Sequence, residues 1–255
     1  MLNYLNVSFY TFKQILKSRI LLVSFILSIA VVVSTYIAAE FTYLTQIRVI
    51  TDVGLGFMNL LSVGVAVFLG VNLISDEIEN RTLYFMLSKP VSRKSFLFGK
   101  ITGMVLILLS IVVITAINCN LIMYFITSTI RADFFVASFF ILIEAVLMLF
   151  LVIILSLLSN KVISVIASLS IYIVGCQLVT LRTVTSIKNN EFVLNLIDMY
   201  RYLLPDFSLI DFKKYVIYSH AVPDGFFTTA LFYCVALVAT YGVLLAILFD
   251  NKELN

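Results

Sequence analysis

The amino-acid sequence predicts an all-α, polytopic membrane protein with six transmembrane helices. Of its 255 residues, 62% are apolar and only 12% are charged, and the mean hydropathy is +1.12. Because an average soluble domain is ~45–50% apolar and ~25% charged, this chain has too few polar side chains to cover a surface in water. The composition therefore excludes a water-soluble enzyme, a disordered chain and a nucleic-acid-binding module. The net charge of +3 is too small to indicate an anionic partner.

Six apolar runs account for the crossings, since a helix needs ~20 residues to span the hydrocarbon. They are residues 20–39, 53–74, 101–126, 134–158, 162–181 and 225–249. Backbone amides in lipid must form their hydrogen bonds within the segment, so these continuous runs are expected to be helices rather than strands. The sequence shows no internal repeat, and residues 1–255 are expected to form a single transmembrane domain.

Residues 1–19 precede the first crossing and carry apolar side chains at helical spacing, with Lys13 and Lys17 nearby. This pattern predicts an N-terminal interfacial helix in the headgroup layer, with a solvated extension as the alternative. With the N-terminus inside, ten Lys and Arg residues face the cytoplasm and two lie in the short loops on the other side. The positive-inside rule therefore predicts that both termini are cytoplasmic.

The cytoplasmic loop, residues 75–100, carries the most specific pattern. Three acidic residues stand at its front, an apolar stretch covers 82–87, and Pro90 follows. Acids in a first turn and a proline after a last turn are helix start and stop signals. The loop is therefore predicted to form a short amphipathic helix along the cytoplasmic face. Its apolar side chains either insert into the membrane interface or bind a pocket on a partner.

The same loop resembles the signature of a known family. The matching stretches are Glu77-x-Glu79-x-Arg81-Thr82-Leu83, Leu87-Ser-Lys-Pro90-Val-Ser-Arg93 and Gly99-Lys100. They resemble the sequence between the second and third transmembrane helices of type-2 ABC exporter permeases, although Asn80-Arg81 stands where many members have a glycine before the threonine. Further stretches resemble the subgroup of permeases linked to copper-enzyme maturation: Leu203-Leu204-Pro205-Asp206-Phe207, Val222-Pro223 and Phe249-Asp-Asn-Lys-Glu-Leu254.

The resemblance implies the transmembrane subunit of an ABC exporter in a bacterial cytoplasmic membrane, which is a permease and not an enzyme. The chain has no G-x-x-x-x-G-K-(S/T), so ATP and Mg²⁺ would bind to a separate ATPase, and the chain itself would need no cofactor. The implied partners are two cytoplasmic ABC ATPase subunits, a second permease copy (the same chain or a paralogue) and membrane lipids, but no nucleic acid. The loop helix becomes a coupling helix, and the implied ATPase-coupling residues are Glu77, Glu79, Arg81, Thr82, Leu83, Phe85, Met86, Leu87, Pro90 and Arg93.

Polar side chains inside the predicted crossings are the candidates for a transport pathway. Glu144 is the only acid well inside a crossing, where an ionised carboxylate costs ~2.5–3.5 kcal/mol on insertion scales. It either contacts cargo or a proton, or forms an interhelical hydrogen bond. The remaining candidates, which line a pathway or hold helices together, are Asn59, Ser62, Ser168 and Tyr172. Gly99-x-x-x-Gly103 is a small-xxx-small pattern that fits close packing against a neighbour.

The external segment, residues 182–224, is too long for a turn. By the resemblance it contains short helices that dip into the outer leaflet and close the exit, with Leu204 and Pro205 at a possible exit gate. The alternative is a surface cap without a gating role. His220 is the only histidine and the three cysteines lie far apart in apolar runs, so no metal site is expected.

An ion-gradient-driven secondary transporter or channel is the alternative function. Such proteins often carry paired intramembrane charges and inverted repeats, whereas this sequence shows one buried acid and no repeat. An intramembrane enzyme is disfavoured because H-E-x-x-H and G-x-S-x-G are both absent. The sequence leaves open the cargo and whether the permease pair is homodimeric or mixed.

Overall fold

The computed structural model describes residues 8–13, 26, 29–30, 33–37, 46–79, 93–128, 130–183, 191–218 and 221–251, and the regular structure in those ranges is entirely helical. The long helices are α1 (Gln46–Glu79), α2 (Arg93–Thr127), α3 (Ala132–Leu158), α4 (Lys161–Thr183) and α7 (Phe226–Asn251). Between α4 and α7 lie α5 (Glu191–Leu203), a 3-10 helix (Phe207–Leu209) and α6 (Lys213–Tyr218). We refer to residues 191–218 as the connecting segment.

Within the described ranges, five helices are long and apolar enough to cross a membrane. The candidate spans are Ile47–Leu73, Lys94–Ile126, Ala132–Leu158, Lys161–Val179 and Phe226–Asp250. They coincide with the second to sixth predicted crossings, which confirms an all-α membrane protein with several crossings. Of the first predicted crossing, only residues 26, 29–30 and 33–37 are described, and these are helical. The total of six crossings therefore stays a prediction.

Helices α1 and α2 are longer than the apolar runs that predicted them. The α1 helix begins at Gln46 rather than at residue 53, and α2 begins at Arg93 rather than at residue 101. With 34 and 35 residues and a rise of about 1.5 Å per residue, each is about 50 Å long, against ~30 Å of hydrocarbon. Hydropathy marks only the part of a helix that lies in lipid, whereas backbone hydrogen bonding continues through polar residues until a breaker intervenes.

The predicted start of the cytoplasmic helix is therefore wrong. Glu77 and Glu79 do not open a separate helix, because both belong to the last turn of α1. The acidic residues at 76, 77 and 79 gave the appearance of a helix start, but no proline or glycine separates them from the preceding apolar run, so α1 continues through them. Residues 80–92, which contain the rest of the predicted helix, lie outside the described residues.

Helix α3 is the centre of the bundle. The helices α1, α2, α4 and α7 all pack against it, and residues 147–154 are buried without interruption. At the other extreme, α7 is the least buried of the five spans, and its Phe232 and Val235 are largely exposed. Since these exposed side chains are apolar, this face of the bundle suits contact with lipid or with another membrane subunit.

Two contacts define one end of the bundle, which we call the terminal end. Ser8, in the helical residues 8–13, shares a 2.6 Å hydrogen bond with Thr102 near the start of α2. Lys94 Nζ, in the first turn of α2, lies 3.1 Å from Asp250 Oδ2 near the end of α7. The N-terminal helical residues and the end of the last helix therefore meet beside the first turns of α2.

Gly103 makes the N-terminal contact possible. A Cβ at this position would lie 2.8 Å from Thr11 Cβ, closer than real Cβ contacts, and 3.0 Å from the backbone oxygen of Ser8, which is a tight contact. Gly103 is the second glycine of the Gly99-x-x-x-Gly103 pattern, so the predicted close packing against a neighbour occurs here. The remainder of the predicted interfacial helix lies outside the described residues.

The connecting segment lies at the opposite end and folds into the bundle. Arg131, before the first turn of α3, donates from Nη2 to the backbone oxygen of Val216 at 3.4 Å. The guanidinium of Arg48, near the start of α1, lies 4.7 Å from the ring centroid of Tyr218. Four buried apolar side chains of the segment join the core of the bundle: Phe207, Ile210, Phe212 and Val216. The segment is therefore a packed part of the bundle.

Candidate functional site

Glu144 lies at the middle of the central helix. It follows the first residue of α3 by twelve positions, which places it about 18 Å along the helix axis. Its exposed fraction is 1%, and α3 is otherwise almost entirely apolar here. A buried carboxylate at this depth requires a proton, a counter-charge or hydrogen-bond donors. The surrounding helices and the connecting segment supply both a counter-charge and a donor.

Lys213 supplies the counter-charge. Its Nζ lies 3.2 Å from Glu144 Oε2, although it belongs to the first turn of α6, and only 17% of its side chain is exposed. Asp211 Oδ1 lies 3.8 Å from the same ammonium. The connecting segment therefore delivers a cation to the acid of the central helix and adds a second carboxylate beside it.

Tyr172 and Asn59 complete the network from two further helices. The hydroxyl of Tyr172, on α4, donates to Glu144 Oε2 at 3.3 Å and accepts from Asn59 Nδ2 at 2.9 Å. Asn59 is on α1 and is buried. The polar cluster, which we define as Asn59, Glu144, Tyr172, Lys213 and Asp211, thus joins α1, α3, α4 and the connecting segment at one level of the bundle.

Aromatic rings surround the polar cluster. The ring of Phe207 meets Tyr172 edge-on at a centroid distance of 5.0 Å. Phe212 stacks on Phe140 at 5.4 Å, one turn of α3 before Glu144. The side chains of Lys213 and Glu144 are themselves 17% and 2% exposed, and in such a low-dielectric surrounding the attraction between the two charges is stronger than in water.

The electrostatics of the cluster favour a charged Lys213. Burial by itself disfavours the ammonium, but the carboxylates of Glu144 and Asp211 outweigh burial and raise the pKa of Lys213 above its ordinary value. Asp211 Oδ1 is buried and makes no hydrogen bond to another group in the described part of the chain, and the Lys213 ammonium lies 3.8 Å from it.

The structure brings together three of the five pathway candidates. Asn59, Glu144 and Tyr172 belong to the polar cluster, whereas the hydroxyls of Ser62 and Ser168 form hydrogen bonds within their own helices. The hydroxyl of Ser62 donates to the backbone oxygen of Met58 at 2.7 Å, and that of Ser168 to the backbone oxygen of Val165 at 2.9 Å. Both serines are fully buried, so these local bonds satisfy donors that would otherwise lack a partner.

Of the possible gate residues, Leu204 and Pro205, the structure places Pro205 against α4. Pro205 is buried, and its backbone oxygen would lie only 2.7 Å from a Cβ at Gly175. One turn earlier on α4, the backbone oxygen of Ile171 accepts a 2.6 Å hydrogen bond from the hydroxyl of Tyr200. The absence of a side chain at Gly175 therefore lets the turn after α5 approach α4 closely.

Asp206 holds this turn in shape. Its Oδ1 accepts from the backbone nitrogen of Ser208 at 3.1 Å and so caps the 3-10 helix, while its Oδ2 accepts from Arg201 Nε at 2.8 Å. The backbone nitrogen of Asp206 donates to the hydroxyl of Tyr233 on α7 at 2.7 Å. The turn that carries Leu204 and Pro205 is thus tied to α5 and α7 as well as to α4.

Of the predicted ATPase-coupling residues, the structure describes only the first two and the last. Glu77 and Glu79 end α1, and Arg93 begins α2. The others lie outside the described residues: Arg81, Thr82, Leu83, Phe85, Met86, Leu87 and Pro90. Since α1 and α2 pack against each other, their border residues occupy the terminal end of the bundle, together with residues 8–13.

Sequence reasoning missed Lys213 and Asp211. They stand in a segment that reads as external, and nothing in the sequence relates them to Glu144, which precedes Lys213 by 69 positions. The signal available was indirect: a single acid in an apolar helix needs a proton, a counter-charge or a hydrogen-bond donor, and Lys213 follows residues 203–212, most of which are apolar. In the described ranges, no three His, Cys, Asp or Glu side chains are grouped to hold a metal ion.

Comparison with known proteins adds one finding. Residues 5–254 match the family model described as ABC-2 family transporter protein. The match covers nearly the whole chain, including all five candidate spans and the connecting segment. No curated protein is significantly similar to the chain.

Proposed function

Because the chain belongs to the ABC-2 transporter family, we propose that it is the transmembrane subunit of an ATP-driven exporter whose ATPase is a separate protein. The observation that carries the proposal is the family match across residues 5–254 of a multi-pass helical chain. The sequence has no G-x-x-x-x-G-K-(S/T), so a transporter built from it needs an ATPase partner.

The lengths of α1 and α2 support a mechanism in which the ATPase moves these two helices from the terminal end. Both α1 and α2 exceed the hydrocarbon thickness, and the 80–92 loop joins them. A partner that moves this loop would move two rigid helices packed on α3. We place the ATPase on this loop, with residues 77–93 as the coupling region and residues 8–13 beside it.

The arrangement in the membrane follows from the same placement. An ATPase is cytoplasmic, so the terminal end and both chain termini face the cytoplasm, in agreement with the excess of Lys and Arg there. The exposed apolar faces of α4 and α7 leave room for a second permease copy, identical or a paralogue. The proposal includes a bacterial cytoplasmic membrane, and the stretch Leu203–Phe207 supports the copper-enzyme-maturation subgroup.

A second candidate function has one observation in its favour. The ion pair between Glu144 and Lys213 is a buried intramembrane charge pair of the kind found in ion-coupled transporters, and it was not visible in the sequence. In a gradient-driven transporter or channel, the pair would bind or relay the driving ion, and no ATPase would contact residues 77–93.

ATPase stimulation tests the proposal. The chain is co-expressed with a candidate P-loop ATPase, sought first among the products of neighbouring genes, and reconstituted in liposomes. The Glu77→Lys/Glu79→Lys variant is expected to lose stimulated ATP hydrolysis while its membrane level stays normal. The matched control is Asp52→Lys/Asp224→Lys, which reverses two exposed acids at the opposite end and is expected to retain stimulation.

Two results count against the proposed function. Normal stimulation in the Glu77→Lys/Glu79→Lys variant contradicts the coupling region. Cargo or ion flux through liposomes that hold the chain alone, driven by a proton or sodium gradient and indifferent to ATP, favours the second candidate function.

A further inference from the structure

We propose that Lys213 is a positioning residue, and that its ion pair with Glu144 latches the connecting segment into the bundle and keeps the outer end of the transport route closed. The meaning of the latch for export rests on the proposed function. The docking of the segment, in contrast, is a property of this chain alone and is measured without any partner.

The depth of the contact is the first argument. Glu144 stands at the middle of α3, so the ammonium of Lys213 reaches the middle of the bundle. The neighbouring Phe212 stacks on Phe140 of the same helix, and Val216 is buried one turn later. The part of the segment from 207 to 216 therefore fills the space between the spans at the opposite end, where cargo has to leave.

The energetics of the pair form the second argument. The apolar contacts of the segment are non-directional and weaken gradually as it moves outward. The ion pair behaves differently, because withdrawing Lys213 leaves the Glu144 carboxylate without its counter-charge in a low-dielectric interior. The segment can leave only when a proton or another cation neutralises Glu144, which makes the contact a two-state latch.

The remaining members of the polar cluster connect the latch to the terminal end. Tyr172 joins the Glu144 carboxylate to Asn59, and Asn59 belongs to α1. Twenty residues, or about 30 Å of continuous helix, separate Asn59 from Glu79 at the end of α1. A displacement of α1 by a partner at the 80–92 loop would therefore reach the latch through one rigid helix and two hydrogen bonds.

Cysteine accessibility measures the latch directly. In full-length chain from which Cys119, Cys176 and Cys234 have been replaced by alanine, Val216→Cys reports on the docked segment, because Val216 is 2% exposed. Leu209→Cys, at 40% exposure, reports on labelling of an open site in the same segment. A membrane-impermeant maleimide is applied to the outside of cells, and the labelling rates are compared without ATP and without the ATPase.

Lys213→Met and Glu144→Gln are each expected to increase the Val216→Cys labelling rate by roughly tenfold or more. The first variant leaves the Glu144 carboxylate without its counter-charge, and the second leaves the Lys213 ammonium without its acceptor. The matched control is Lys214→Met, the next residue of α6, whose ammonium lies 5.3 Å from the Tyr215 ring centroid. The control is expected to change the rate by less than about twofold. Lys213→Arg keeps the charge and is expected to restore slow labelling.

The outcomes separate the latch from a general loss of structure and from the proposed function. Leu209→Cys labelling and the membrane level verify folding. If a single variant does not fold, Glu144→Gln/Lys213→Met, which removes both charges, replaces it in the Val216→Cys comparison. Equal Val216→Cys rates in Lys213→Met and Lys214→Met overturn the latch. A chain that shows the latch but never stimulates an ATPase loses the proposed function and retains the latch.

Discussion

Glu144 Oε2 and Lys213 Nζ lie 3.2 Å apart, although 69 positions separate the two residues in the sequence. The acid belongs to the central helix and the base to the first turn of a short helix in the connecting segment. This relationship makes the polar centre of the membrane domain a joint product of a span and a segment that is external by sequence. It also determines which substitutions are informative.

Glu144 and Lys213 are expected to contribute to the free energy of unfolding as a pair, so that their substitutions are not additive. Lys213→Met should lower the free energy of unfolding by about 3 kcal/mol, because Glu144 remains buried without a counter-charge. Glu144→Gln/Lys213→Met should lower it by less than the two single changes together, since no charge remains to be compensated. Denaturant unfolding in one detergent measures the cycle, with Lys214→Met as the control. Additive losses would show that the two side chains do not interact.

The contribution of Lys213 is expected to depend on pH only in the alkaline range. The carboxylates of Glu144 and Asp211 raise the pKa of Lys213 in the folded chain above the ordinary lysine value of 10.5. Its stabilising contribution is therefore fully present below 10.5 and is lost as the pH rises through the raised value. The difference in melting temperature between wild type and Lys213→Met should therefore not shrink between neutral pH and about 10, and should shrink above that. A difference that already shrinks between pH 7 and 9 contradicts the charged pair.

Tyr172→Phe tests the link between α1 and the latch. The change removes the hydroxyl that accepts from Asn59 and donates to Glu144, while the ring contact with Phe207 can remain. The loss of two buried hydrogen bonds should cost about 1–3 kcal/mol of unfolding free energy. Tyr124→Phe, at a half-exposed tyrosine of α2, is the control and should stay within about 0.5 kcal/mol. Equal stability of the two variants would remove Tyr172 from the network.

Gly103→Ala tests the packing at the terminal end. The new methyl group would meet Thr11 Cβ at 2.8 Å, so residues 8–13 have to shift away from α2. The expected cost is about 1–3 kcal/mol, together with faster amide hydrogen exchange in residues 8–13. Gly64→Ala, on α1 with no atom within 4 Å of the added carbon, should be neutral or stabilising. Unchanged exchange in Gly103→Ala contradicts the contact.

The family resemblance and the helical spans were readable without a structure. Hydropathy locates lipid-embedded residues because each apolar side chain reports its own transfer free energy, and the five described spans match five predicted runs. The ends of α1 and α2 were not readable in the same way, since helical hydrogen bonding at Glu79 and Arg93 continues beyond the apolar run. The same local reasoning misread the acids at 77 and 79 as a helix start.

The candidate site was readable only in part. Asn59, Glu144 and Tyr172 attract notice because polar side chains in spans require partners, and the structure unites them. Ser62 and Ser168 attract the same notice, yet each bonds to a carbonyl of its own helix. Which of these alternatives a hydroxyl adopts depends on the face that its helix turns toward α3, and a single helix sequence does not specify that.

By itself, the sequence determined that this chain crosses a membrane as helices and that it resembles an ABC permease, because composition, run length and a local motif are properties of neighbouring residues. Only the tertiary structure decided that the connecting segment enters the bundle and that Lys213 neutralises Glu144. The position of the connecting segment depends on the burial of aromatic side chains, such as Phe207 and Phe212, between helices that are distant in the chain. The free energy of such burial belongs to the assembled surfaces and not to any one stretch of sequence.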